Sequence, residues 1–121
     1  MVSNGMLKIR VSDFKKSLDF YHKALGFKIE QEVKGKWAEL SGNDMYIGLK
    51  ADKSVKPKKR GSAGNISLGF EATGGIDKEA ARLKKMGIKV EADPKADGES
   101  DWRFAWFKDP DGNTLALFQP E

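Results

Sequence analysis

The sequence predicts an α+β protein of two similar β-α-β-β-β modules, whose strands form a curved mixed sheet that closes into a cup. Three observations carry that reading. The order of strand-like and helix-like segments before a basic loop at 53–63 returns after it, and Met86-Gly87-Ile88 repeats the helix-ending pattern Leu25-Gly26-Phe27. The chain then closes on Asp109-Pro110-Asp111-Gly112-Asn113, set between two apolar runs. Pro110 presets φ for a tight turn, and Gly112 and Asn113 tolerate positive φ, so this stretch reads as a β-hairpin. At 121 residues the chain is expected to be a single domain, with modules at 6–52 and 64–120 joined by the linker 53–63.

Met6 to Val11 alternates, with Leu7, Ile9 and Val11 on a core face and Met6, Lys8 and Arg10 on the other. Ser12 or Asp13 caps a helix in which Phe14, Leu18, Tyr21 and Leu25 recur at helical spacing before Gly26 stops it. Lys28 to Val33, Lys36 to Leu40 and Met45 to Lys50 follow as strands, separated by turns at Lys34-Gly35 and Gly42-Asn43-Asp44. In the second module Asn65 to Glu71 alternates, with Ile66, Leu68 and Phe70 inward and Asn65, Ser67, Gly69 and Glu71 outward. A helix from Ile76 to Met86 ends at Gly87, and Ile88 to Ala92, Trp102 to Lys108 and Thr114 to Gln119 complete the module as strands. Helices covering one sheet face leave the other free, and the free faces make the cup.

Composition excludes several functions. With 39% hydrophobic and 33% charged residues the chain reads as an ordinary globular protein. No apolar run approaches the roughly 20 residues that span a bilayer, and no signal-peptide core is visible, so no membrane association and a cytoplasmic setting are expected. The absence of cysteine removes disulfides, thiolate metal sites and a Cys nucleophile, and the single histidine, His22, removes a His-rich metal site. His22 is expected on the helix surface. The net charge of +4 is concentrated at Lys53, Lys56, Lys58, Lys59 and Arg60, which leaves −1 elsewhere. A short basic run without interleaved aromatics reads as a solvated connector, so no nucleic acid partner is expected.

Val11-Ser12-Asp13 with Ser17, Phe20-Tyr21 and Leu25-Gly26-Phe27, followed by Asp109-Pro110-Asp111-Gly112-Asn113, resembles the vicinal oxygen chelate superfamily. That group contains glyoxalase I, bleomycin-resistance proteins, extradiol dioxygenases and fosfomycin-resistance enzymes. The resemblance covers nearly the whole chain and implies the glyoxalase/bleomycin-resistance-like fold, but it does not name a function, because one scaffold hosts many activities. It also implies where a metal would sit. The four ligand positions of the glyoxalase-like members fall on Met6, Gly48, Asn65 and Ala116, none of which suits a hard divalent cation. No metal and no other cofactor is expected.

The cup face holds other chemistry. Arg10, Lys8 and Lys50 give it a cationic floor suited to a carboxylate or phosphate, unless Arg10 is instead paired with an acid such as Glu71. Trp102, Phe104 and Trp106 alternate on one strand face, and with Trp37, Tyr46 and Phe118 they would form an apolar box for a flat ligand, although Trp106 or Phe107 would equally serve as core. Among the acids Glu71 follows the cup-face alternation of its strand and is the candidate general base. Two readings compete. The first is a metal-free binding protein that sequesters an aromatic or anionic small molecule, with Arg10, Lys8, Trp102, Tyr46, Phe118 and Lys50 as ligand contacts. The second is a lyase, isomerase or dioxygenase-like enzyme of the same superfamily. A cationic floor argues against bleomycin itself, and the resemblance implies a homodimer.

Overall fold

Strand β1 (Met6–Val11) leads into a helix, α1 (Phe14–Asp19), whose start is fixed by Asp13: its side chain accepts the Lys16 N–H at 3.1 Å. The computed structural model describes residues 1, 5–42, 44–57, 68–90, 95–96 and 103–119, of which 95–96 are described as backbone only. These residues fall into two compact units, Met1–Pro57 and Lys58–Glu121.

In the first unit α1 widens into a π-helical turn over Phe20–Ala24, where the sequence predicts a regular helix to Leu25. The wider turn brings Ala24 against the core at 3% exposure and leaves Leu25 half-buried. Gly26 ends it at φ +81°, and the Phe27 N–H reaches back to the Tyr21 carbonyl at 3.1 Å. Three strands follow, β2 (Lys28–Val33), β3 (Trp37–Gly42) and β4 (Met45–Ala51). The sheet order is β1-β4-β3-β2, with β1 parallel to β4 and the other pairs antiparallel. α1 packs on β4, and the core of the unit comprises Val11, Ala38, Leu40, Ile47 and Leu49, all 0% exposed, with Phe14, Leu18 and Tyr21 of the helix. Burying a large apolar side chain contributes about 1.5–3 kcal/mol, so this helix–sheet contact holds the unit together.

The second unit repeats the plan. It contains β5 (Leu68–Glu71), α2 (Ile76–Lys85), β6 (Lys95–Ala96), β7 (Arg103–Lys108) and β8 (Thr114–Gln119). Its order is β5-β8-β7-β6, again with the first strand parallel to the last. The first N–H of α2, at Ile76, is satisfied from across the unit by Gln119 Oε1 at 2.9 Å. Asp77 and Glu79 in its first turn and Arg82, Lys84 and Lys85 in its last suit the helix dipole. Ile76, Ala80 and Leu83 bury its inner face in a core shared with Ala105, Phe107, Leu115 and Leu117.

One predicted strand is displaced. Ile88 to Ala92 was expected to pair, but 88–90 are not in a strand; 91 and 92 lie outside the described residues, and the edge strand is Lys95–Ala96. The reason lies in the cap of α2. With Gly87 at φ +86°, the Gly87 N–H bonds the Lys84 carbonyl and the Ile88 N–H bonds the Leu83 carbonyl, so Ile88 closes the helix and has no donor left for a ladder. The turn that closes the chain is built around one carboxylate. Asp109 Oδ1 accepts the N–H groups of Asp111 at 3.0 Å and Asn113 at 2.8 Å, and Oδ2 accepts Asn113 Nδ2 at 2.8 Å. Gly112 takes the left-handed conformation at φ +82°, whereas Asn113 does not. Among the described residues no helix is long and apolar enough to cross a membrane.

Candidate functional site

Each sheet turns one face to its helix and leaves one face open, and strand register fixes which side chains stand on the open face. In the first unit Lys8 lies beside Gly48, which lies beside Glu39; Arg10 lies beside Lys50, which lies beside Trp37; and Met6 lies beside Tyr46, which lies beside Ser41. The sheet therefore brings Lys8, Arg10, Tyr46 and Lys50 onto one surface, with Lys8, Arg10 and Lys50 exposed and Tyr46 38% exposed. Tyr46 also borders an open hollow of about 730 Å³ whose other walls include Ser41, Asp44 and glycine backbone.

Gly48 stands on this open face and is nevertheless buried. The cover is Trp37, two positions along the neighbouring strand. A Cβ placed on Gly48 would meet Trp37 Cη2 at 2.4 Å, Cζ3 at 3.1 Å and Met6 Sδ at 3.1 Å. An aromatic laid over a strand glycine shields backbone that would otherwise face water. Glu39 is a correction to the sequence reading, in which Glu71 alone was assigned to an open face. β3 alternates Trp37, Glu39 and Ser41 outward against buried Ala38 and Leu40, and that pattern was present in the sequence.

Arg10 pairs with an acid of its own unit, Asp52. Its Nε lies 3.9 Å from the carboxylate of Asp52, which directly follows β4, in an ion pair whose arginine side chain is 65% exposed. The Ser54 hydroxyl, at 2.6 Å, and the Ser54 N–H, at 2.9 Å, hold the Asp52 carboxyl below its ordinary value; burial opposes them, and Arg10 and Lys50 add lesser lowering effects. His22 lies exposed on the helix, where its Nδ1–H donates to the Phe27 carbonyl at 2.7 Å.

In the second unit the open face carries Gly69 beside Ala116 beside Trp106, and Glu71 beside Phe118 beside Phe104. Phe104 and Trp106 stack with centroids 6.0 Å apart and planes at 12°. Trp106 is 36% exposed and Phe107 fully buried, which settles their faces. A Cβ on Gly69 would lie 3.2 Å from Phe118 Cδ1, but unlike Gly48 this glycine stays exposed. Glu71 is exposed beside Phe118. Trp102 and Asn65 lie outside the described residues.

The superfamily's metal does not fit these residues. Gly48 has no donor atom and an indole occupies the space above it, Ala116 has none and is 4% exposed, and the Met6 thioether suits only soft ions. Among the described residues no three His, Cys, Asp or Glu side chains cluster.

Two β-α-β-β-β units, each with an open sheet face, define a class of duplicated α+β proteins. A family model described as Glyoxalase/Bleomycin resistance protein/Dioxygenase superfamily matches residues 4–117, and the chain belongs to that family. It is 32% identical to Uncharacterized protein YwkD of Bacillus subtilis (strain 168), over 93% of each chain. Among solved structures it is similar to virulence protein STM3117 of Salmonella typhimurium, at a TM-score of 0.76 and 23% identity over 100% of this chain and 98% of that one. It is also similar to lactoylglutathione lyase of Agrobacterium tumefaciens, at a TM-score of 0.73 and 15% identity over 94% and 90% of the two chains. These likenesses establish the fold.

Proposed function

We propose that the protein is a metal-free small-molecule-binding member of the superfamily, which sequesters an aromatic or anionic ligand against its open sheet faces. One observation carries the reading: two of the positions that would hold metal ligands are Gly48, roofed by Trp37, and Ala116, while the surfaces around them present aromatic rings and cations. A face with an aromatic lining and no metal donors at these positions is suited to holding a flat molecule rather than polarising one. The protein is read as a cytoplasmic homodimer without nucleic acid or membrane partners.

A second reading, an enzyme of the lyase, isomerase or dioxygenase-like kind, draws support from Glu39 and Glu71, carboxylates standing on open faces where a general base would act. The two separate in one experiment. Purified protein is titrated with Ni, Zn, Mn or Fe while its melting temperature is followed, and a small-molecule library is screened by quenching of tryptophan fluorescence. The binding reading predicts no saturable stabilisation by micromolar divalent ion together with saturable quenching by aromatic anions. Stabilisation that saturates at micromolar metal refutes it.

A further inference from the structure

The open face of the first sheet has an unusual centre. Lys8, Gly48 and Glu39 stand side by side on three neighbouring strands, so the Lys8 and Glu39 backbones are two strand spacings apart, roughly 9.6 Å. The Trp37 indole lies over the glycine between them, with Met6 Sδ beside it. Among the described residues neither the Lys8 nor the Glu39 side chain makes a hydrogen bond or ion pair. A cation and an anion thus flank a partly exposed aromatic ring, neither side chain having a partner among the described residues.

Resting on the reading of the chain as a small-molecule-binding protein, we propose that Trp37 is a stacking platform for a flat aromatic carboxylate bearing a hydrogen-bond donor across the ring. The carboxylate meets Lys8, the ring stacks offset on the indole, and the donor meets Glu39. Stacking supplies attraction that an aliphatic ring of the same size lacks. The two charges give the platform direction, because an aromatic with an anionic group at each end would face Glu39 with like charge. Arg10 is drawn towards Asp52, and Lys8, level with Gly48 in the register, is the cation that meets the anion. Gly48 is then a specificity-determining residue: it lets the indole approach the strand closely, and any side chain there displaces it.

The test uses the full chain labelled with ¹⁵N and four probes: 4-hydroxybenzoate, benzoate, 4-methylphenol and cyclohexanecarboxylate. The Trp37 indole N–H signal, identified by its loss in Trp37→Phe, and the Gly48 amide should shift with 4-hydroxybenzoate. Cyclohexanecarboxylate should bind about fivefold to tenfold more weakly than benzoate. Lys8→Gln, a change at an exposed residue, should weaken both benzoates about fivefold and leave 4-methylphenol unchanged. Glu39→Leu, which removes the acceptor, should abolish the preference for 4-hydroxybenzoate over benzoate, and Gly48→Ala should weaken every aromatic probe. A purely backbone-shielding Trp37 predicts instead that Gly48→Ala changes stability but no affinity, which would overturn the proposal. Shifts confined to Phe104 and Trp106, or hits in the quenching screen that leave Trp37 unmoved, overturn the platform and leave the binding reading standing. No response from any probe in either experiment overturns both.

Discussion

Replacing Gly48 by alanine asks one methyl group to occupy space already filled. The added Cβ would lie 2.4 Å from Trp37 Cη2, so the ring must retreat by about 1 Å to regain ordinary contact distance, and Met6 Sδ at 3.1 Å bars part of its path. Overpacking of this kind costs typically about 1–3 kcal/mol. Alanine returns about 0.4–1 kcal/mol by restricting the unfolded chain, since Gly48 does not sit at positive φ. The net expectation is a loss of about 1–2 kcal/mol, or a fall of several degrees in Tm for a chain of this size. Thermal melts and near-ultraviolet circular dichroism measure it, with Trp37→Phe isolating the signal of that indole from the other tryptophans. The sharper measurement is a double-mutant cycle with Trp37→Ala. Once the indole is removed, Gly48→Ala should become neutral or stabilising, and this reversal of sign is specific to their contact. A Gly48→Ala protein with unchanged Tm and an unchanged tryptophan spectrum would show that the ring does not lie over the glycine.

Other outcomes follow from single contacts. Asp109→Ala strips the closing turn of the acceptor for two backbone N–H groups at a site 5% exposed, and should cost about 3 kcal/mol in urea unfolding; a loss below about 1 kcal/mol contradicts the role assigned to that carboxylate. Gln119→Ala leaves the Ile76 N–H without its acceptor and should lower stability by about 1 kcal/mol at an unchanged m-value. Asp52 has a folded-state pKa below its unfolded value. Its stabilisation is therefore complete above the unfolded value of about 3.9 and is lost as pH falls through the lower folded value. Ser54→Ala should move the Asp52 carboxyl titration up towards the ordinary range by NMR, and an unmoved titration would remove Ser54 as the cause.

The module plan was legible because hydrophobic alternation and helix-stopping glycines are local signals. Leu25-Gly26-Phe27 and Met86-Gly87-Ile88 both end helices on a glycine at positive φ, as their likeness implies. Local signals also explain the error at Ile88: an apolar residue after a glycine reads equally well as the first residue of a strand or the last of a helix cap, and only the bond to the Leu83 carbonyl decides between them. Glu39 was not assigned to an open face although its alternation was visible, because Trp37, Glu39 and Ser41 acquire neighbours only when β3 is set against β4. The pairing of Arg10 with Asp52 had no sequence signal, since it depends on where the chain turns after β4.

The sequence alone determined the repeated β-α-β-β-β order, the family, the turn at Asp109 and the lack of good donors at Met6, Gly48 and Ala116, because each of these is a property of residue type and near spacing. Tertiary structure decided that the glycine lies beneath an indole, and that Lys8 and Glu39 flank it on separate strands. Those relations follow from register, which joins residues distant along the chain, and a glycine carries no mark of what will cover it.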